Sequence, residues 1–303
     1  MAVFFMKRIV ITGAQGLLGE ACCRLLKDEY EVITLTRDDV DLTDAGKLLD
    51  LLSGLEFDFL INTAAMSGLE QCLDQPEKAA QANTDAPRIM AEICHQKGAK
   101  MLQISTDYVL DGRENIIHDE TSSTRGSGVY SKTKLAAEQA VMQGCEDSII
   151  GRVSWLFGYG RETFVDQVVD TARAGEQASY IWDKFSVPNF SDDLVTVMSQ
   201  LLESELTGIV HLTNDAEPET WFSYAEKVTR IAIDLGILND DLNLTDKSNL
   251  DDITFFKQER PRYTAMRPKR LSEELNVRVR NWQYGVREYL LRKHGNPLTN
   301  KEI

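Results

Sequence analysis

The first half of the chain alternates apolar, β-branched runs with stretches of helical period. "RIVITG" (8–13), "EVITLT" (31–36), "FDFLINTAA" (57–65), "KMLQIST" (100–106) and "SIIGRVS" (148–154) have strand length and stay apolar through most of it. Between them, "LLGEACCRLLKDE" (17–29), "DAGKLLDLLSG" (44–54), the long "PEKAAQANTDAPRIMAEICHQKG" (76–98) and "SKTKLAAEQAVMQG" (131–144) carry helical spacing. Near-continuous apolar strands separated by helices predict a parallel sheet covered on both faces. After about residue 155 the alternation loosens. "FVDQVVDTARAG", "DDLVTVMSQLLES" and "WFSYAEKVTRIAIDLG" predict amphipathic helices, and "GIVHLTN" a strand. The segment "FFKQERPRYTAMRPKR" is basic and proline-punctuated, and a last helix is predicted near "YGVREYLLRKHG". No repeat or low-complexity linker separates the halves, so a second lobe should pack closely on the first, with a ligand in the crevice.

Composition narrows the partners. With 303 residues and a formal net charge of -15, the chain lacks the clustered basic surface that nucleic acid or anionic membrane requires. No run approaches the ~18–20 apolar residues of a bilayer span. In "MAVFFMKRIVITG" the charges Lys7 and Arg8 follow the short apolar run instead of preceding it, unlike a signal sequence. Five cysteines (Cys22, Cys23, Cys72, Cys94, Cys145) without a C-x-x-C predict free thiols and a cytoplasmic protein. The four histidines (His95, His118, His211, His294) are scattered, and no metal site is expected.

Two constellations carry chemistry. "ITGAQGLLGE" sets Gly13, Gly16 and Gly19 between a strand and a helix, where backbone N–H groups can approach a pyrophosphate. The G-x-x-G-x-x-G spacing points to the short-chain dehydrogenase superfamily. Arg37, just past the second strand, occupies the position that selects a ribose 2′-phosphate, which favours NADP(H) and leaves NAD(H) open; its other reading is a solvated loop charge. Asp41, Leu42, Ala64 and Ala65 fall on the same edge. Ala64 and Ala65 are small enough for a cofactor to pass close, or simply for tight strand–helix packing.

The second constellation is "VYSKTKLAAE" (129–138). Positions four apart share a helical face, so Lys134 lies beside Tyr130 and Lys132 points elsewhere. An ammonium there favours the phenolate of a group whose free pKa is ~10, bringing it into range for proton transfer. Ser105, Thr106 and Asp107 end a strand on the edge where open parallel sheets bind ligands. A hydroxyl at that place can hold a substrate oxygen, and it can equally be a plain turn residue.

Together the pieces "GAQGLLG", "VDLTD", "INTAA", "ISTDYVLDG", "YSKTKLAAE", "RVSWLFGYG", Val187–Pro188 and "RPRYTAMRPKRLSEEL" resemble the dTDP-4-dehydrorhamnose reductase family along most of the chain. The resemblance implies a Rossmann-type, doubly wound α/β domain with a smaller C-terminal α/β substrate lobe. Residues 1–155 with a returning segment near 185–212 would form the first, and 156–184 with 213–303 the second. It implies NADPH-dependent reduction of the 4-keto group of a nucleotide-linked deoxysugar, with Thr106, Tyr130 and Lys134 as the catalytic set. The cofactor set is Gly13, Gln15, Gly16, Leu17, Leu18, Arg37, Asp41, Leu42, Ala64 and Ala65, with Tyr130 and Lys134. Ser105, Thr106, Asp107, Trp155 and Arg260 are expected on the substrate, and a homodimer is open.

Departures cluster on the substrate side. Ser131 and Thr133 replace the usual Gly and Ser around the tyrosine, "DKFSVPN" (183–189) stands for D-Q-x-G-x-P-T, and "MSGLE" (66–70) for H-T-x-V-D. Glu20 is out of register with an acid that joins an interfacial magnesium site in some members, so no metal carries over. Two other readings share the same motifs: an NADP-binding regulatory subunit like that of methionine adenosyltransferase, and a nucleotide-sugar epimerase or dehydratase.

Overall fold

The computed structural model describes residues 6–239 and 246–295. The first half runs β1 (Arg8–Thr12), α1 (Leu17–Leu26), β2 (Glu31–Leu35), α2 (Ala45–Ser53), β3 (Phe59–Asn62), α3 (Leu69–Asp74), α4 (Pro76–Ala80), a π-helical turn (Gln81–Asp85), α5 (Ala86–Lys97), β4 (Lys100–Thr106), α6 (Val129–Gly144) and β5 (Ser148–Val153). It continues through β6 (Leu156–Phe157), α7 (Phe164–Ala174), β7 (Ser179–Ile181), β8 (Phe185–Ser186), β9 (Asn189–Phe190), α8 (Ser191–Leu202) and β10 (Gly208–His211). Last come β11 (Glu219–Thr220), α9 (Trp221–Asp234), β12 (Asp246–Ser248), α10 (Lys269–Glu274) and α11 (Trp282–His294).

Six strands form one sheet in the order β10-β5-β4-β3-β1-β2, every pairing parallel. This is the parallel sheet that the apolar strands predicted, in the doubly wound Rossmann-type order that the family resemblance implied. Every residue of β3, β4 and β5 is buried. Alternate side chains go to opposite faces: Ile9 and Ile11 join α1 and α8 in one core cluster, while Val10 joins α2, α5 and α6 in another. Strand order reverses between β1 and β3, and the crevice at the strands' C-terminal ends opens there.

Local chemistry sets the boundaries. Asp44 caps α2 by accepting from the Lys47 N–H, and Gly98 ends α5 in the left-handed region at φ 65°. β3 is shorter than "FDFLINTAA" suggested. Asn62 stops it by accepting from Thr12 Oγ1 (2.6 Å) and from the Ala64 N–H (3.1 Å), while its amide donates to Gln103 (2.7 Å). A third cluster gathers α7, α9 and α11 around Phe157, Tyr224, Trp282 and Tyr289. Leu271 and Val279, from the C-terminal part of the chain, pack instead in the α1–α8 cluster. Among the described residues no helix is long and apolar enough to cross a membrane.

Candidate active site

The glycine turn joins β1 to α1. Gly13 takes φ 69°, and a Cβ there would lie 2.8 Å from the Ala64 backbone nitrogen. A Cβ on Gly19 would lie 2.1 Å from the Gly13 carbonyl oxygen, so the helix seats on the turn only without a side chain. Above this turn lies a cavity of about 830 Å³. Gly13, Gln15, Gly16, Leu17, Leu18, Arg37, Asp41, Leu42, Ala64 and Ala65 line it, as do Ser105, Thr106, Asp107, Tyr130, Lys134 and Trp155. Arg37 is exposed at its β2 end, and the Asp41 carboxylate is held low by the Thr43 N–H and hydroxyl (both 2.9 Å).

At the other end β4 and α6 bring three groups together. Thr106 ends β4, its hydroxyl 3.2 Å from Asp107 Oδ1 and accepting from the Tyr108 N–H at 3.2 Å. Tyr130 sits in the first turn of α6, edge-on to the Tyr108 ring at 6.3 Å. Lys134 follows one turn later, buried, donating to the Ile104 carbonyl at 2.6 Å. Burial lowers the Lys134 ammonium to about 8, and Glu138 opposes that. In place of the expected lowering of Tyr130 by Lys134, burial raises the phenol, the Thr106 hydroxyl draws it down, and the Asp107 charge raises it further. Trp155 holds φ 37°, a conformation rare outside glycine, and its ring packs on Trp221 at 4.6 Å.

Three expected substrate contacts are otherwise engaged. The Ser105 hydroxyl donates to Glu138 Oε1 (2.5 Å), which also takes a bidentate grip from Arg152 (2.9 and 2.7 Å). Asp107 is buried, and its Oδ2 accepts from Ser186 (3.1 Å) and Thr264 (2.6 Å). Burial raises its carboxyl. Arg260 does not line the cavity: it pairs with Glu70 at 2.9 Å and stacks on Phe256 at 3.5 Å.

Ser131 and Thr133 do not line the cavity either, and both hold α6 in place. Ser131 Oγ accepts from the Gly128 N–H (2.8 Å), capping the helix. Thr133 donates to the Tyr130 carbonyl (2.8 Å) and accepts from Asn83 (3.2 Å). Sequence reasoning passed over Asn83, which sits in the π-helical turn and grips the Met66 N–H (2.8 Å) and carbonyl (3.0 Å). It couples the loop before α3 (66–68) to the tyrosine helix, as π-turns near functional sites often do. Lys184 was also passed over; buried, it donates to the Pro261 carbonyl (2.8 Å) and lies 4.9 Å from the Tyr108 ring centroid. Neither carried a local signal, because each acts on residues distant in sequence.

The molecule is thus a Rossmann-type α/β protein whose cavity runs from a glycine turn to a threonine–tyrosine–lysine cluster. The model of the RmlD substrate binding domain family matches residues 6–294, and the chain belongs to that family. It is 29% identical to the spore coat polysaccharide biosynthesis protein SpsK of Bacillus subtilis, over 94% of this chain and 97% of that protein. It is 26% identical to a dTDP-4-dehydrorhamnose reductase of Aggregatibacter actinomycetemcomitans, over 93% of this chain and 98% of that one. A crystal structure of dTDP-4-dehydrorhamnose reductase from Bacillus anthracis in complex with NADP shares the fold, with a TM-score of 0.86 at 24% identity, covering 95% and 100% of the two chains.

Proposed function

We propose that this protein is an NADPH-dependent reductase of the 4-keto group of a nucleotide-linked deoxysugar in polysaccharide biosynthesis. The substrate we favour is dTDP-4-dehydrorhamnose, giving dTDP-L-rhamnose. One observation carries the reading: a single cavity holds the glycine turn at one end and Thr106, Tyr130 and Lys134 at the other. The residues present fit a dinucleotide, since the glycine turn seats the N-terminus of α1 at the cavity, with Gln15, Gly16, Leu17 and Leu18 in its wall. Gln15 to Leu18 would hold the pyrophosphate, Arg37 the 2′-phosphate, and Asp41, Leu42, Ala64 and Ala65 the adenosine half.

Bound NADPH supplies the hydride. The protein's own task is then the proton and its placement. Thr106 Oγ1 hydrogen-bonds the sugar's keto oxygen, and Tyr130 Oη gives it a proton. Lys134, charged at neutral pH, would stabilise the phenolate left behind by turning to it from the Ile104 carbonyl, its partner in this structure. Trp155 packs an aromatic face on the sugar. Residues 1–155 with 185–212 form the cofactor lobe in this reading, and 156–184 with 213–303 the substrate lobe; residues 1–5, 240–245 and 296–303 lie outside those described.

The test is NADPH oxidation against a panel of 4-keto nucleotide sugars that includes dTDP-4-dehydrorhamnose. Turnover with dTDP-4-dehydrorhamnose supports the proposal. Tight NADPH binding without turnover of any member would replace it with the regulatory reading.

A further inference from the structure

Arg161 has no part in the roles above, yet it lines the same cavity. It follows directly on a strap, Gly158–Gly160, that lies against the first turns of α1. A Cβ on Gly158 would sit 2.0 Å from Ser191 Oγ at the start of α8, and one on Gly160 would sit 3.5 Å from Glu20 Cγ on α1. Between them, the Tyr159 ring stacks on the Arg24 guanidinium at 5.2 Å. Tyr159 and Gly160 thus set the strap against α1 while Gly158 seats it on α8, and the next side chain lines the same cavity as Leu17 and Leu18. Gly160, at φ 96°, provides the bend that only glycine adopts freely.

Charge favours a ligand there over a surface ion pair. Arg161 is exposed and forms no salt bridge among the described residues. Glu20, against which Gly160 packs, is already engaged by Arg24 at 3.1 Å, and Arg24 also holds Asp192 at 2.7 Å. In a chain of net charge -15, the cavity wall carries Arg37, Lys78, Lys134 and Arg161 against Asp41 and Asp107. Lys134 lies one helical turn from Tyr130, at the catalytic end of the cavity, and Arg37 lies at the β2 end.

We infer that Arg161 is a further cofactor-binding residue that clamps the dinucleotide pyrophosphate from the second-lobe side, opposite the N–H groups of the glycine turn. The inference rests on the dinucleotide reading of the cavity. A planar guanidinium is suited to two phosphate oxygens at once, and the helix N-terminus on the far side has the same preference for anions. The strap makes this clamp part of the second lobe, so cofactor affinity depends on how that lobe seats on α1.

The experiment titrates NADPH and NADH into full-length wild-type protein, Arg161→Gln and Arg161→Lys without sugar, then measures KM for the 4-keto nucleotide sugar. Arg161→Gln is expected to weaken both cofactors by a similar factor, on the order of tenfold, while the sugar KM stays put. Arg161→Lys should recover part of the loss. Unchanged affinity for both cofactors overturns the inference, and a raised sugar KM alone would move Arg161 to the sugar's diphosphate. Loss of NADPH affinity without loss of NADH affinity would overturn it too, by placing the residue on the 2′-phosphate. Wild-type protein that binds neither cofactor would defeat the dinucleotide reading itself, an outcome distinct from all of these.

Discussion

Lys134 and Arg152 are buried cations a short distance apart, and the protein treats them in opposite ways. Arg152 lies on β5 with its Nε and Nη2 on the two oxygens of Glu138, which the Ser105 hydroxyl also supports. That cluster joins β4, β5 and α6 and is nearly complete in itself. Lys134 stands one turn before Glu138 on α6, yet its ammonium donates to a neutral carbonyl. Its pKa falls because burial penalises its charge more than Glu138 compensates. The difference separates architecture from chemistry: a paired charge fixes elements together, whereas an under-compensated one is available to a reaction.

Removing each cation sharpens that contrast. Lys134→Met is expected to cost about 10³-fold in turnover while the protein stays as stable as wild type or gains stability. Lys134 has a folded value of about 8, below its unaltered 10.5. Between those pH values the unfolded chain binds the extra proton, so wild-type stability rises with pH across that window. Any stability advantage of Lys134→Met is therefore full below about pH 8 and vanishes toward 10.5, which urea unfolding at several pH values will show. Arg152→Met should do the reverse. It leaves Glu138 buried without its partner and costs about 3 kcal/mol or more. Equal destabilisation by both substitutions would dissolve the contrast.

Smaller effects test the exposed cation and the helix start. Arg37→Gln is expected to weaken NADPH binding about tenfold and leave NADH binding unchanged. Ser131→Ala should cost about 1 kcal/mol of stability through the lost cap. It should not alter which sugar is reduced, because Ser131 faces Gly128 and not the cavity.

The same contrast explains what could be read from the residues alone. Gly13 and Gly19, the five apolar strands, and the Tyr130–Lys134 spacing are local patterns, and local geometry determines them. Ser105, Asp107 and Arg260 were plausible ligand contacts by position. Their side chains are claimed by Glu138, by Ser186 and Thr264, and by Glu70, partners 33 to 190 residues away. Ser131 and Thr133 looked like changes in substrate specificity. Their hydrogen bonds to Gly128, Tyr130 and Asn83 make them supports for α6 instead. Asn83 and the π-helical turn that carries it leave no mark on helical periodicity. The pKa of Tyr130 was the subtlest point: spacing brings Lys134 to the right face, but the ammonium's actual partner depends on where β4 places the Ile104 carbonyl.

The central claim is that Tyr130 delivers the proton. It is tested most directly by purifying Tyr130→Phe, confirming NADPH binding by fluorescence titration, and following NADPH oxidation with a 4-keto nucleotide sugar that the wild type turns over. The account predicts cofactor affinity close to wild type and turnover reduced by about 10²–10⁴-fold. Wild-type turnover in that variant would contradict it.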